Sequence, residues 1–291
     1  MRLIVTADLH YEFAEFRERV DALAAEVCRV GGDVLVLAGD TFALDPMHLA
    51  HCLLRFEGFR GEKLLIAGNH DLWTRPGDGL DSFELYGRII PEVARTCGFH
   101  DLDAEPKVIG DVGFAGTIGW YDYSFRDPAL GIPLRFYENK VSPGFARRDP
   151  RFVHLVHDTA DIAPNGLRAN ARWMDGEMIR WGFDDAGFNR LTLERLEAQL
   201  AAIESGVRTI VAVTHHLPFP EMLKRKADPA WGFGSAFMGS VGLGETLRRH
   251  PKVRHAVCGH SHSRDARQLG PITALNVGCT YRMKRYDAIE V

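Results

Sequence analysis

LLIAGNHDLW, residues 64–73, opens as an apolar run and then sets Gly68, Asn69, His70 and Asp71 in immediate succession. Leu64 to Ala67 reads as a short strand buried on both faces, because the run is too brief for a helix and stops at a glycine. Two similar runs precede it. Leu3 to Thr6 ends at Asp8, Leu9 and His10, and Val34 to Ala38 ends at Gly39 and Asp40. Between them the period changes. Phe16, Val20, Leu23, Ala24 and Val27 recur at helical spacing, which predicts an amphipathic helix over 13–30 that stops near Gly31 and Gly32. Residues 46–57 read as a second helix. Strand, helix, strand, helix, strand is the rhythm of a layered α/β fold, and such sheets place their sites at the carboxyl ends of strands. Each of these three strands ends in carboxylate, imidazole or amide groups.

Downstream, Lys107 to Ile109 and Val112 to Ile118 read as strands that leave the parallel rhythm and build a second sheet. Residues 119–190 differ in kind: they are aromatic and turn-rich, with little sustained periodicity. Two readings are compatible there, an insertion with its own small hydrophobic core or a cap or rim that shapes the substrate site. Trp120, Tyr121, Tyr123, Arg126, Arg168, Asn170 and Trp173 are its candidates for reaching substrate, with His154 and His157 beside them. Leu191 to Ile203 predicts a helix, and Arg208 to Val213 a strand that ends at Thr214, His215 and His216. Gly232 to Gly244 is glycine-rich without matching a dinucleotide or P-loop pattern, and reads as a mobile loop beside the cleft, followed by a helix at 245–249. Arg254 to Val257 is a strand before Gly259, His260, Ser261 and His262, and Ile272 to Val277 is the last. The whole chain, 1–291, reads as one domain.

Composition excludes several classes. The 291 residues are 46% hydrophobic, enough for a large core, and the formal net charge of -4 offers no basic footprint for a nucleic acid or a membrane surface. Nucleic acid is therefore not favoured, and a small substrate is. Five cysteines without a C-x-x-C pair point to free thiols in a reducing compartment. The N-terminus lacks the apolar core of a signal peptide, and no run approaches a membrane span, so the expected location is cytoplasmic.

The strand-end groups belong together. Asp8 and His10, Asp40, Asn69 to Asp71, His215 and His216, and His260 and His262 would converge at one edge of an α/β fold. Aspartates and imidazoles gathered in one cleft are hard to keep satisfied without a cation. Carboxylate, imidazole and amide oxygen suit Mn²⁺ first, with Fe²⁺, Zn²⁺, Co²⁺ or a mixed pair as alternatives, and the lack of thiolates argues against a structural zinc site. The donors exceed what one ion needs. Two divalent ions about 3.5 to 4 Å apart would use them, with Asp40 as the natural bridge. His215 and His216 would point opposite ways on a continuing strand, so only one is expected to be a ligand; His215 is taken as that one, with His216 as a wall.

D-x-H at Asp8 to His10, G-D at Gly39 and Asp40, G-N-H-D at Gly68 to Asp71, a strand-terminal His215, and G-H-x-H at Gly259 to His262 together resemble the calcineurin-like metallophosphoesterase family. The resemblance spans residues 1 to about 280 apart from the central insertion. It implies a four-layered α/β/β/α sandwich of two mixed sheets flanked by helices. It also implies hydrolysis of a phosphoester by a metal-bridging hydroxide. By the same resemblance Asp8, His10 and His262 hold one metal, Asp40 bridges, and Asn69, His215 and His260 hold the second. His70 then assists the leaving group, and Asp71 orients His70.

Departures narrow the branch. GDTFALD, residues 39–45, lacks the arginine that protein phosphatases of this family carry after the G-D motif, and Ala43 stands where purple acid phosphatases place a tyrosine. The expectation is a phosphatase or phosphodiesterase for a small monoester or diester. A nuclease, or a scaffold of the same fold with weak catalysis, is the alternative.

Overall fold

The computed structural model describes every residue of the chain except 78. Among the described residues, eleven strands form two mixed sheets. The first contains β1 (Arg2–Thr6), β2 (Val34–Ala38), β3 (Glu62–Ile66) and β4 (His100–Asp101), with the last strand, β11 (Asp287–Glu290), antiparallel on the outer side of β1. The second runs β5 (Lys107–Ile109), β6 (Val112–Thr117), β7 (Thr209–Thr214), β8 (Val253–Cys258), β10 (Ile272–Asn276) and β9 (Asp265–Leu269). Within it, β6, β7, β8 and β10 are parallel, and β5 and β9 close the edges antiparallel.

Alternation along the strands builds three apolar interfaces and hence four layers. Leu3 and Val5 of β1 meet Val34, Val36, Phe114, Val211 and Val257 between the sheets. Ile4, Leu35 and Leu37 face the other way, onto Val20, Leu23 and Val27 of α1 (Arg17–Val30) and Leu49 and Leu53 of α2 (Pro46–Leu54). On the far side, Ile210, Ala212 and Ala256 pack against Leu196 and Leu200 of α3 (Asp185–Glu204) and Leu243 and Leu247 of α4 (Val241–Arg249). The fold is thus the α/β sandwich of two mixed sheets flanked by helices that the motifs implied.

Two local expectations change. Gly232 to Gly244 is largely helical, with a turn at Pro229–Gly234 followed by α4. Asp228 and Ser240 cap these helices by accepting from Ala230 N and Leu243 N, which outweighs the low helix propensity of glycine. The segment 119–190 has no core of its own. Trp120, Tyr121, Phe136, Tyr137 and Phe188 belong to the same apolar cluster as α1 and α2. Among the described residues no helix is long and apolar enough to cross a membrane.

Candidate active site

Chain direction in the parallel strands brings the ends of β1, β2, β3, β7 and β8 to one edge of the sandwich, and the polar residues stand there. Asp8, His10, Asp40, His260 and His262 all have left-handed backbones, with φ between 48° and 68°. A non-glycine residue in that region costs on the order of 1 to 3 kcal/mol, with Asp and His better tolerated than most. The conformations are held by cross-links between the loops: Asp8 N donates to Gly39 O, His10 N to Asp40 O, and His260 N to Asp8 Oδ1 at 2.8 Å. Five side chains are thereby turned inward from loops that would otherwise leave the sheet.

Among the described residues three donor groups result, two of which share Asp40 while the third joins His10 to Glu12 and His70. Asp8, His10, Asp40 and His262 offer ligand atoms within 4.8 Å of one another, and so do Asp40, His215 and His260. His10 Nε2 and His262 Nε2 lie 3.3 Å apart, and His260 Nδ1 and His215 Nε2 lie 3.1 Å apart. Asn69 Oδ1 joins the second cluster, 3.2 Å from His215 Nε2. Backbone carbonyls select the tautomers, since a carbonyl only accepts. His215 Nδ1 donates to Ala38 O and His260 Nε2 to Phe237 O, which turns His215 Nε2 and His260 Nδ1 toward Asp40 and each other.

The donors fit a divalent cation. Asp8 Oδ2 is buried with no hydrogen-bond partner, and imidazole nitrogens from different loops face one another in two close pairs. Burial lowers His10 and His260 well below the usual imidazole range, so both are neutral donors. Burial also works against the charge on His215, but Asp40 beside it outweighs this and raises the ring to about 9. Asp40 is held well below the carboxylate range by His215 and His70, against the effect of its burial.

The two glycines of the G-D and G-N-H-D motifs act through close approach. A Cβ on Gly68 would sit 2.2 Å from Asp40 Oδ1, and one on Gly39 would sit 2.4 Å from His215 Nδ1. Gly68 does not have a positive φ, so close approach and not a left-handed turn is what calls for a glycine there.

His70 lies beside the donors. Its backbone N donates to Asp40 Oδ1, its ring stacks on Trp73 at 3.6 Å, and its edge meets His10 at 4.6 Å. Nδ1 is buried without a partner. Asp71 differs from expectation. Its Oδ1 accepts from Phe42 N at 2.8 Å and its Oδ2 from Gly68 N at 2.6 Å, so it fastens the loops after β2 and β3 together and does not reach the His70 ring. The peptide turns at His70–Leu72, which sends the two neighbouring side chains apart.

His216 turns away from Asp40. Its Nδ1 meets Ile118 O, its ring packs 4.2 Å from that of His260, and burial together with His215 pushes it down to about 3. Two carboxylates that sequence reasoning missed support the site. Glu12 Oε1 lies 3.4 Å from His10 Nδ1, and burial pushes Glu12 up to about 8. Asp175, in the segment 119–190, accepts four hydrogen bonds: from Asn69 Nδ2 and Trp73 Nε1 on one oxygen, and from Tyr121 OH and Trp173 Nε1 on the other. An acid two residues from His10 was a visible signal for Glu12. Nothing around Asp175 in the sequence was.

A cleft of about 600 Å³ opens over Asp40, Asn69, His70, His260 and His262. Of the insertion residues named from sequence, Trp173 lines it. Trp120, Tyr121 and Tyr123 are buried in the adjoining core, Arg126 Nη1 donates to Tyr123 O, and His154, His157 and Asn170 are exposed elsewhere.

The model of the calcineurin-like phosphoesterase family matches residues 1–264. No curated protein matches the chain. Among solved structures, a phosphopantetheinyl hydrolase from Mycobacterium tuberculosis is 16% identical with a TM-score of 0.70, over 96% of this chain and 89% of that one. A dimetal phosphatase from Danio rerio is 14% identical with a TM-score of 0.54, over 99% of this chain and 91% of that one. At such identities these two likenesses show a shared fold, whereas the family match covers β1 to β8 and every motif of the site. The chain belongs to the calcineurin-like phosphoesterase family of metal-dependent hydrolases.

Proposed function

We propose that the protein hydrolyses a small phosphoester, a monoester or a diester, at a centre for two divalent ions, with Mn²⁺ the first choice. The observation that carries this reading is the placement of Asp40. Its Oδ1 faces His215 Nε2 at 3.3 Å and its Oδ2 faces His10 Nε2 at 3.8 Å, so one carboxylate serves both donor clusters. Asp8, His10 and His262 would hold one ion, and Asn69, His215 and His260 the other. Bound there, the ions supply charge that offsets the phosphoryl oxygens and lowers the pKa of the attacking water.

The chain's own residues do the rest. His70 is neutral in the free site because burial lowers its pKa. An incoming phosphoester anion favours the protonated ring, and His70 then donates to the departing oxygen, which makes a poor alkoxide a better leaving group. The Trp73 stack fixes the plane of that ring. Asp71 keeps the two loops in register, and Asp175 holds the Asn69 amide. The indoles of Trp73 and Trp173 wall the cleft against water, which strengthens each electrostatic contact inside it. A cleft of about 600 Å³ suits a small ester better than a polymer. All seven donor positions carry competent side chains, which weighs against a scaffold without catalysis.

A rate screen with Mn²⁺ over aryl monoesters, bis-aryl diesters, cyclic nucleotides and short oligonucleotides tests this. Mn²⁺-dependent turnover of a monoester or diester is expected. Failure to turn over any of them with Mn²⁺, Fe²⁺, Zn²⁺ or Co²⁺ would overturn the reading.

A further inference from the structure

Beside the donor groups the cleft is lined by three tryptophans, Trp73, Trp173 and Trp231, and by Met174, Met238 and Leu223. Each indole N–H is already used inside the protein. Trp73 Nε1 and Trp173 Nε1 donate to Asp175, each at 2.7 Å, and Trp231 Nε1 donates to Lys224 O. Each ring also has a protein group against it: His70 stacks on Trp73 at 3.6 Å, Phe237 lies parallel to Trp173 at 5.1 Å, and Lys226 Nζ sits 3.4 Å from the centre of Trp231. What these side chains offer a ligand is hydrocarbon and π surface in fixed orientation, with no indole donor to spare.

Several polar groups of the lining are partly engaged. Arg172 Nη1 is paired with Glu177 at 2.6 Å, Ser235 Oγ donates to Trp231 O, and Ser261 Oγ accepts from Asn276 Nδ2. Lys224 and Asp228 line the cleft with opposite charges, so its lining is not uniformly cationic. A polyol, a sugar or a nucleobase would bring donors and acceptors that lose water and regain few partners here, at about 1 to 3 kcal/mol for each one left unmade. A flat apolar group would lose nothing and gain burial and stacking.

We infer that the alcohol this enzyme releases is apolar and ring-bearing, recognised by Trp173 and Trp231 through burial and stacking. This rests on the phosphoesterase reading above. Rigid, internally anchored rings make such a site preorganised, so their order is not lost or gained on binding. The reaction itself is unchanged: water adds to phosphorus, the P–O bond to the alcohol breaks, and the alcohol leaves with a proton.

The test compares propyl, glyceryl, benzyl and 2-naphthylmethyl phosphates, as monoesters and as methyl diesters, with the Mn²⁺-loaded enzyme. These alcohols are close in acidity, so intrinsic leaving-group ability does not set the order. A kcat/KM about 10- to 100-fold higher for the naphthylmethyl ester than for the propyl ester is expected, with the glyceryl ester slowest. In Trp231→Leu the naphthylmethyl-to-propyl ratio should fall several-fold. Calorimetry on the metal-free wild-type protein should detect binding of 2-naphthylmethanol and none of propanol at equal concentration. Equal kcat/KM across the series, a preference for glyceryl phosphate, or an undiminished ratio in Trp231→Leu would overturn this inference and leave the phosphoesterase reading standing. Absence of turnover for every ester would overturn the reading beneath it.

Discussion

Asn69 Nδ2 donates to Asp175 Oδ1 at 2.9 Å, and this contact turns the amide oxygen of Asn69 toward His215 Nε2, 3.2 Å away. A side chain 106 residues further along the chain thus decides which end of the amide faces the donor cluster. Asp175 is 1% exposed and holds two indoles and a phenol as well, so it joins the site to the wall of the cleft.

Replacing Asp175 with Ala strands four donors, two of them buried. Stability should fall by about 2 to 4 kcal/mol, and affinity for the second of two Mn²⁺ ions should drop about 10- to 100-fold. Chemical denaturation of the metal-free protein and a Mn²⁺ titration read the two effects separately. Asp175→Asn keeps one acceptor oxygen and should recover part of the stability; unchanged Mn²⁺ affinity in both variants would contradict the positioning role.

Asp40 and His262 should behave differently. Asp40→Ala removes the carboxylate common to both clusters and should abolish tight binding of either ion. His262→Ala should weaken one ion and spare the other, because His262 belongs to the first cluster only. Elemental analysis after gel filtration counts the ions retained, and equal losses in the two variants would argue against a shared carboxylate.

A methyl group on Gly68 would have to occupy space 2.2 Å from Asp40 Oδ1 and 2.3 Å from Asp40 N. Neither atom can yield without moving the loop after β2. Gly68→Ala should therefore lower turnover at least about 100-fold, in line with a displacement of roughly 1 Å at reacting groups. Far-ultraviolet circular dichroism should remain that of the wild type, because the sheets do not depend on this position.

His70→Ala should reduce turnover by about 10²- to 10⁴-fold, the usual range for a lost general acid, while both ions stay bound. Loss of the ions together with activity would assign His70 to the metal shell instead. Asp71→Ala, in contrast, releases Phe42 N and Gly68 N. It should weaken metal binding, which an orienting partner of His70 would not do.

Much of the architecture was legible because its central strands are short, carry buried apolar runs and end abruptly. VLVLA at β2 is buried at every position, and its boundaries coincide with those read from sequence. Three of the edge strands, β4, β9 and β11, were not legible for the opposite reason. β9 reads DARQL with alternation nearly absent and most residues exposed, and β4 has two residues. Their pairing is set by the neighbours they meet, which a local pattern does not record. At the site, the groups that stand at strand ends were visible because position and chemistry agree there. Asp175 was hidden, since it lies in an aperiodic segment and acts on Asn69 only after the chain has folded. The role of Asp71 was misread for a related reason: adjacency to His70 in sequence does not bring their side chains together across a helical turn.

The central claim is a two-ion centre joined by Asp40, and its most direct test is the electron paramagnetic resonance spectrum of the protein loaded with Mn²⁺ to saturation. The account expects the spectrum of an exchange-coupled Mn²⁺ pair, lost in Asp40→Ala. Only the hyperfine pattern of isolated Mn²⁺ in the wild-type protein, or no bound Mn²⁺ at all, would contradict it.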